Sequence, residues 1–285
     1  MGISSASSLA QISVQLGTTL LHGWPGSWLE FGGVLELLAE KYTTETLPYH
    51  VVVPSIPGYG LSTRGEEDTR ELTMEGASEA LNSLMVALGF DAYVAQGGDV
   101  GSFLSQTMCG LFDECKAFHL ADIPLSADEE KSMELVTAWA TTGSAYAFEH
   151  GTRPSTVSLA LNTNHLGMLA CSSNGATIGM TPCPSTPSSP WYYWFTESYG
   201  RALWAYRALA RVIGGPLPPM PMSKTKPFGF SATVPLPWAE FLFPNLVFYG
   251  PHERGGHFAA LQEPEAFLSD IEQFLAIVGS TVVPS

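Results

Sequence analysis

The sequence has few basic residues and lacks a long apolar run, and both absences exclude classes of partner. Only 12 lysines and arginines stand against 27 aspartates and glutamates, which gives a formal net charge of -15. Because nucleic acids and anionic membranes require a basic surface, neither is expected to bind this chain. No stretch is apolar for long enough to span a bilayer, so a transmembrane segment is not predicted.

Cysteines are also scarce, and their spacing does not indicate a metal site. Cys109, Cys115, Cys171 and Cys183 form no C-x-x-C pair and have no histidines at matching distances. Neither a metal nor a cofactor is therefore predicted. Free thiols in a reducing compartment are the simplest expectation. Residues 1–6 lack the basic and apolar regions of a signal peptide, so we expect a cytoplasmic protein.

Apolar segments alternate with helical patterns in the first part of the chain, which is typical of β–α units around a parallel sheet. Strands are predicted at Thr18–Leu21, His50–Val53, Asp91–Gln96, Ala117–Leu120 and Asn245–Tyr249. Residues 125–237 interrupt this order with helical segments and two stretches rich in turn-forming residues, 171–190 and 214–237. We interpret residues 1–124 and 238–285 as an α/β core, and residues 125–237 as a helical cap with a hinge.

Asp99 stands in the segment Gly97–Ser102, between a predicted strand and a predicted helix. Small residues around one polar residue allow the tight turn that projects a nucleophile over the end of a sheet. The N-terminus of the following helix would stabilise a carboxylate there. For Asp99 taken alone, a plain helix-capping aspartate is an equally simple interpretation.

The type of residue at this turn limits the chemistry. A serine that opened an epoxide would form an ether, which water does not readily cleave. A carboxylate forms an ester instead, and water can hydrolyse an ester. Asp99 therefore indicates attack on carbon electrophiles such as epoxides and alkyl halides.

Two further segments could complete a site around Asp99. The turn His22–Pro25 follows a predicted strand, and it can aim the Trp24 N–H at the same point as the Val100 N–H. Two such donors would form an oxyanion hole. His257 lies between glycines and the last helix, and it is the candidate general base. His119 lies inside an apolar strand and is interpreted as a core histidine.

These segments together resemble the microsomal-type epoxide hydrolases, particularly their fungal members. The matching segments are Leu21–Ser27, Pro54–Ser62, Gln96–Phe103, Tyr146–Pro154, Tyr193–Arg207, Lys226–Ser231 and Gly255–Glu263. The resemblance implies an α/β-hydrolase fold and conversion of a small apolar epoxide to a vicinal diol through an aspartyl ester. The resemblance also implies peripheral association with the endoplasmic reticulum as an alternative to the cytoplasm. A homodimer is a further possibility that the sequence does not decide.

The resemblance also implies two tyrosines in the cap that donate to the epoxide oxygen, and these fall on Tyr146 and Tyr206. A phenol with a pKa of about 10 suits this role, and general acid catalysis is typically worth about 10²–10⁴ in rate. Without the resemblance, packing of an amphipathic cap helix would explain either tyrosine.

Three departures from the family pattern suggest a divergent or truncated chain. Only 21 residues precede His22, so the first two strands of the family are expected to be missing. The strand His50–Val53 would then lie at an unpaired sheet edge. The low-complexity run 171–190 replaces a helical cap segment. The acid that orients the base is absent from its place after Lys226–Ser231.

Asp122 and Glu240 are the candidate substitutes for the missing acid, with a slight preference for Asp122. In serine proteases, disabling the equivalent acid costs about 10⁴ in rate. A catalytically impaired homologue that serves as a binding or scaffold protein therefore remains an alternative. Haloalkane dehalogenases are a second alternative, because they also form an aspartyl ester. Their members usually carry Trp directly after the nucleophile, where this chain has Val100.

Overall fold

A six-stranded parallel sheet forms the centre of the molecule. The structure, a computed structural model, describes residues 16–62, 71–121, 133–134, 137–177, 188–210, 221, 223–232, 236–242, 244–252 and 255–282. The strands are β1 Gly17–Leu21, β2 His50–Val52, β3 Tyr93–Gly97, β4 Cys115–Ala121, β5 Phe228–Ala232 and β6 Leu246–Pro251. They pair in the order β2-β1-β3-β4-β5-β6, and every pairing is parallel. This sheet confirms the predicted α/β fold.

Helices follow most strands, and a block of helices separates β4 from β5. The core helices before the block are α1 Gly32–Lys41, α2 Met74–Ala87 and α3 Val100–Leu111. The block contains α4 Ala145–Thr152, α5 Pro154–Asn162, α6 His165–Thr177, α7 Ser188–Phe195, α8 Tyr199–Ala202 and α9 Trp204–Ala210. The chain then forms α10 Leu236–Leu242, α11 Ala259–Gln262 and α12 Pro264–Val282.

Successive residues of each central strand enter two different apolar layers, because side chains alternate across a sheet. Leu21 and Phe118 pack with α2, α3 and the helical block, whereas Leu20 and Ala117 pack with α1 and α12. All five residues of β1 and of β3 are buried. Burial on both faces agrees with the absence of charged residues from these two strands, although Thr18, Thr19 and Gln96 are buried polar residues.

The strand β2 lies at one end of the sheet, as expected for the segment His50–Val53. It has three residues, all exposed or half-buried, and it pairs with β1 in a register that places Gly17 opposite His50. Its other side has no partner strand among the described residues. A short edge of this kind offers few free backbone groups for further pairing.

The strand β5 corrects the predicted boundary between cap and core. The segment 214–237 is predicted as a hinge, yet Phe228–Ala232 pairs with both β4 and β6 inside the sheet. The core therefore resumes at residue 228 instead of 238. The other turn-rich stretch, 171–190, is helical at both ends, because α6 reaches Thr177 and α7 begins at Ser188. Residues 178–187 lie outside the described part of the chain.

The expectation that all cysteines are free is wrong for two of them. Cys109 near the end of α3 and Cys115 at the start of β4 form a disulfide, with Cα atoms 4.8 Å apart. The helix-to-strand turn brings together two residues whose separation of six matches no common cysteine motif. Cys171 is a free thiol, and Cys183 lies outside the described residues.

Candidate active site

The turn between β3 and α3 places Asp99 at the carboxyl end of the sheet in an unusual backbone conformation. Its φ of 48° and ψ of -123° lie outside the regions that residues with a side chain normally adopt. Such strain costs of the order of 1–3 kcal/mol and persists mainly at functional sites. The Asp99 side chain makes no capping hydrogen bond to α3. Asp99 thus occupies the N-cap position of α3, but helix capping does not account for the direction of its side chain.

Glycines next to Asp99 allow the tight approach of β3, α3 and β1. A Cβ atom at Gly97 would overlap the backbone carbonyl of Gly101, and a Cβ at Gly101 would overlap that of Leu21. Because these obstacles are backbone atoms, a side chain could be accommodated only if the turn itself moved. Close backbone contacts thus explain why glycine stands at positions 97 and 101.

The Gly97→Ala substitution is expected to destabilise the protein by about 1–3 kcal/mol, the usual cost of overpacking. Urea unfolding would measure this change. Gly32→Ala is the matched control, since Gly32 has helical angles and nothing within 4 Å of the added Cβ. That control should gain about 0.4–1 kcal/mol. Equal stability of Gly97→Ala and the natural protein would contradict the contact explanation.

Three groups hold the Asp99 carboxylate. The backbone N–H of Trp24 donates a hydrogen bond to Oδ1 of Asp99 over 2.8 Å, and the Nε2 atom of His257 lies 3.2 Å from Oδ2 of Asp99. Burial raises the pKa of Asp99, but the contacts with His257, Trp24 and the Val100 N–H outweigh it, so the pKa lies below its usual value. Asp99 is thus an ionised carboxylate at neutral pH, and its side chain is 21% exposed. The structure brings the four predicted residues together.

His22 fixes the turn that carries the Trp24 N–H. It is fully buried, its Nδ1 lies 3.0 Å from the Gly23 carbonyl, and its Nε2 lies 3.1 Å from the Ile56 N–H. Since the carbonyl can only accept and the N–H can only donate, the neutral tautomer with the proton on Nδ1 satisfies both. Burial lowers the pKa of His22 to about 4, which keeps this tautomer neutral.

Tyr146 on α4 and Tyr206 on α9 meet over the indole of Trp24. The Tyr146 ring stacks on the indole at 5.3 Å between centroids, and the Tyr206 ring meets it edge-on at 5.3 Å. The two phenol rings lie 5.7 Å apart in an edge arrangement. Because the Trp24 N–H binds Asp99, one residue connects both cap tyrosines to the carboxylate.

Both phenols are protonated donors in this environment. Burial, followed by the negative charge of Asp99, raises the pKa of Tyr146 to about 12 and that of Tyr206 well above its usual value. The Tyr206 hydroxyl is buried and lacks a well-aligned hydrogen bond to the described residues. The neighbouring Tyr146 hydroxyl is close enough to affect its pKa. An oxygen atom of a ligand above Asp99 could accept from both.

Comparisons with known proteins agree with this geometry. Residues 19–212 match the model of the alpha/beta hydrolase fold family. The solved structure of Aspergillus niger epoxide hydrolase superposes with a TM-score of 0.81 at 37% identity, covering 92% of this chain and 72% of that one. The chain belongs to the α/β-hydrolase family, on its epoxide hydrolase branch. The Dothistroma septosporum relative, also named as an epoxide hydrolase, is 37% identical over 279 residues.

The relatives are longer than this α/β hydrolase. The match to the Dothistroma protein covers 90% of this chain and 65% of that protein. Epoxide hydrolase 1 of Oryctolagus cuniculus is 26% identical over 312 residues, which cover 91% of this chain and 68% of the rabbit protein. The chain thus spans about two thirds of the length of the curated relatives it matches.

The orienting acid of this α/β hydrolase stays a prediction. Asp122, the preferred candidate, lies outside the described residues. Glu240, the second candidate, is exposed on α10. His119 is a core histidine as predicted: it is fully buried, and its Nε2 lies 2.9 Å from the Ser231 hydroxyl. Burial lowers its pKa to about 3, so it is neutral.

Several titratable residues lie near Asp99 although no sequence motif indicates them. The charge of Asp99 raises the pKa of both Glu30 and Tyr59, although burial is the larger cause for each. His150 on α4 lies within 4.8 Å of the Trp24 ring and 5.1 Å of the Tyr206 ring, between centroids. Isolated titratable residues of this kind carry no sequence motif, so only the fold identifies them.

The described part of this α/β hydrolase lacks both a metal-binding cluster and a membrane-spanning helix. It contains no cluster of three or more His, Cys, Asp or Glu side chains suited to a metal ion. Nor does it contain a helix that combines the length and hydropathy needed to cross a bilayer. The groups described around Asp99 are its own carboxylate, an imidazole, phenols and backbone N–H groups.

Proposed function

We propose that the protein hydrolyses an epoxide to a vicinal diol through a covalent ester on Asp99. The observation that carries this proposal is an ionised carboxylate held by Trp24 and His257, with two protonated phenols near enough for its charge to add to the effect of burial on their pKa. An epoxide between these groups would meet a nucleophile on one side and two acids on the other. The aromatic lining from Trp24, Tyr146 and Tyr206 favours a small apolar substrate.

In the first step, Oδ2 of Asp99 attacks one epoxide carbon while the carbon–oxygen bond of the ring breaks. The developing alkoxide accepts a proton from Tyr146 or Tyr206, so the product is a neutral hydroxy ester. We assign Oδ2 because Oδ1 accepts the Trp24 N–H and thereby becomes the carbonyl oxygen of the ester. The low pKa of Asp99 keeps the nucleophile ionised.

In the second step, a water molecule attacks Cγ of the ester and gives one proton to Nε2 of His257. The carbonyl electron pair moves to Oδ1, where the N–H groups of Trp24 and Val100 stabilise the oxyanion. Collapse breaks the bond from Cγ to Oδ2, which takes the proton from His257 and leaves as an oxygen of the diol. Asp99 is then a carboxylic acid; it loses its proton to solvent, and the phenolate formed in the first step regains one.

The Tyr206→Phe substitution should lower the rate of ester formation about 10²-fold, since it removes one of two acids. Tyr146→Phe should have a smaller effect, because Tyr146 is less buried than Tyr206. Stopped-flow measurement of the first step with styrene oxide would test both. Tyr192→Phe, a cap tyrosine that hydrogen-bonds to Ser55, serves as control. An unchanged rate in Tyr206→Phe would remove this residue from the mechanism.

A single turnover of styrene oxide in ¹⁸O-labelled water tests the whole proposal. Attack of water on Cγ places one labelled oxygen in the Asp99 carboxylate, whereas direct attack on the epoxide labels only the diol. Mass spectrometry of the peptide that contains Asp99 distinguishes the two routes. Folded protein that gives neither diol nor labelled Asp99 would leave the binding-protein alternative.

The haloalkane dehalogenase alternative predicts a different product. Such an enzyme would release halide from an alkyl bromide through the same ester and would need a donor for the leaving halide. The residue after the nucleophile is Val100, whose side chain is buried and apolar. The phenols instead suit an oxygen leaving group. Bromide release at a rate comparable to epoxide opening would favour the dehalogenase.

A further inference from the structure

The carboxyl group of Glu30 lies beside the proposed nucleophile, yet the two chemical steps above do not use it. Glu30 belongs to a short 3-10 turn, Trp28–Phe31, which begins at the capping residue Ser27 directly after the turn that carries Trp24. A free glutamate would normally point to water. Here the Oε2 atom is buried and has no hydrogen-bond partner within the part of the chain that the structure describes.

Gly23 connects Glu30 to Asp99. The Gly23 N–H hydrogen-bonds to the Glu30 carboxyl group, and a Cβ atom at Gly23 would lie 2.5 Å from Oδ1 of Asp99. The two carboxyl groups therefore contact the same residue from different sides. Burial and then the charge of Asp99 raise the pKa of Glu30 well above its usual value.

Glu30 also borders the loop that carries the proposed base. A Cβ atom placed on Gly26 would overlap Oε2 of Glu30 and would lie 3.1 Å from the Phe258 ring. Phe258 follows His257, and the two rings meet edge-on at 5.0 Å. The Oε2 atom thus lies close both to the end of the turn that carries Trp24 and to the loop that carries His257.

We propose that Glu30 is a positioning residue that holds the hydrolytic water against the Asp99 ester, which makes it specific to the second step. This inference rests on the proposed function. The water gives one hydrogen to His257 and directs its other hydrogen to Oε2 of Glu30, so its lone pair faces Cγ. Two hydrogen bonds fix the orientation of the attacking oxygen, which is where the rate gain arises.

The charge of Asp99 couples this role to the reaction cycle. While Asp99 is ionised, its charge disfavours a second negative charge on Glu30, because like charges at close range cannot both ionise easily. Ester formation neutralises Asp99 and removes this repulsion. Glu30 then becomes a better acceptor at the moment when the water must be held. The first step, in which no water takes part, does not depend on Glu30.

The test is the Glu30→Gln variant, assayed separately for each step with styrene oxide. Glutamine has the same shape and can still accept from the Gly23 N–H, so the turn is expected to fold. We expect ester formation at the natural rate and ester hydrolysis about 10–100-fold slower. In the steady state kcat and KM should fall together, which leaves kcat/KM unchanged. Glu36→Gln, at an exposed position on α1, is the charge-matched control, and Glu30→Asp should recover part of the rate.

Four results would decide between the possibilities. Accumulation of the ester in Glu30→Gln, at a normal rate of formation, supports the positioning role. A natural rate of ester hydrolysis in that variant overturns it while leaving the proposed function intact, and equal slowing of both steps overturns it in favour of a structural role. If the natural protein itself forms no ester, the proposed function fails and the inference fails with it.

Discussion

Asp99→Asn should abolish formation of the covalent ester and lower the single-turnover rate by more than about 10⁴-fold. In a well-studied hydrolase, loss of the nucleophile costs about 10⁶ in kcat, and residual binding and oxyanion donors supply what remains. An amide is a poor nucleophile, although its carbonyl oxygen can still accept the Trp24 N–H seen in the structure. Fold and substrate binding should therefore survive. Mass spectrometry after a short exposure to styrene oxide measures the ester.

The control for this experiment is a carboxylate away from the site. Glu40→Gln, at an exposed position on α1, removes the same charge and should turn over normally. Asp99→Ala is needed as well, because slow hydrolysis of an asparagine side chain would restore the carboxylate. Diol production by Asp99→Ala at more than a hundredth of the natural rate would exclude Asp99 as the nucleophile.

His257→Gln should convert the protein into a trap for its own intermediate. Nε2 of His257 lies 3.2 Å from Oδ2 of Asp99, which suits it to take a proton from water in the second step but gives it no part in ring opening. We expect ester formation to continue and its hydrolysis to slow about 10³-fold, within the range for general base catalysis. One ester per molecule should accumulate, visible as a mass increase equal to the substrate.

His165→Gln provides the matched comparison, since His165 lies exposed on the cap helix α6. It should show normal turnover and no lasting mass increase. The assignment of His257 as base would be wrong if its variant hydrolysed the ester at the natural rate. If the variant formed no ester at all, His257 would instead be required to hold Asp99 ready for attack.

Most of the fold could be predicted from the sequence because buried parallel strands are short apolar runs and amphipathic helices have a regular period. The strand β5 could not, since its segment Phe228–Ala232 stands among prolines and glycines that also suit a hinge. Pairing with β4 on one side and β6 on the other decides its conformation. The disulfide is unpredictable for a similar reason, because only the turn between α3 and β4 brings the thiols of Cys109 and Cys115 together.

In the candidate site, residues held by a local motif were predictable and residues brought in by tertiary packing were not. Asp99 stands in a glycine-flanked turn, and the turn His22–Pro25 and His257 in the order of the fold favour a projecting side chain over a plain helix cap. Glu30 stands in no such motif, and an isolated glutamate is normally exposed to solvent. Only the 3-10 turn Trp28–Phe31 and the packing around it bring this side chain towards Asp99.

Trp24 has a consequence for how relatives of this protein can diverge. Its backbone N–H binds Asp99, the proposed nucleophile, whereas its indole contacts the rings of Tyr146 and Tyr206. A mutation at this position therefore acts on two halves of the site simultaneously, and compensation must come from the cap. Among homologues, the residue types at positions 24, 146 and 206 should covary, and the cap and core should evolve as one unit at this point even where their surfaces drift apart.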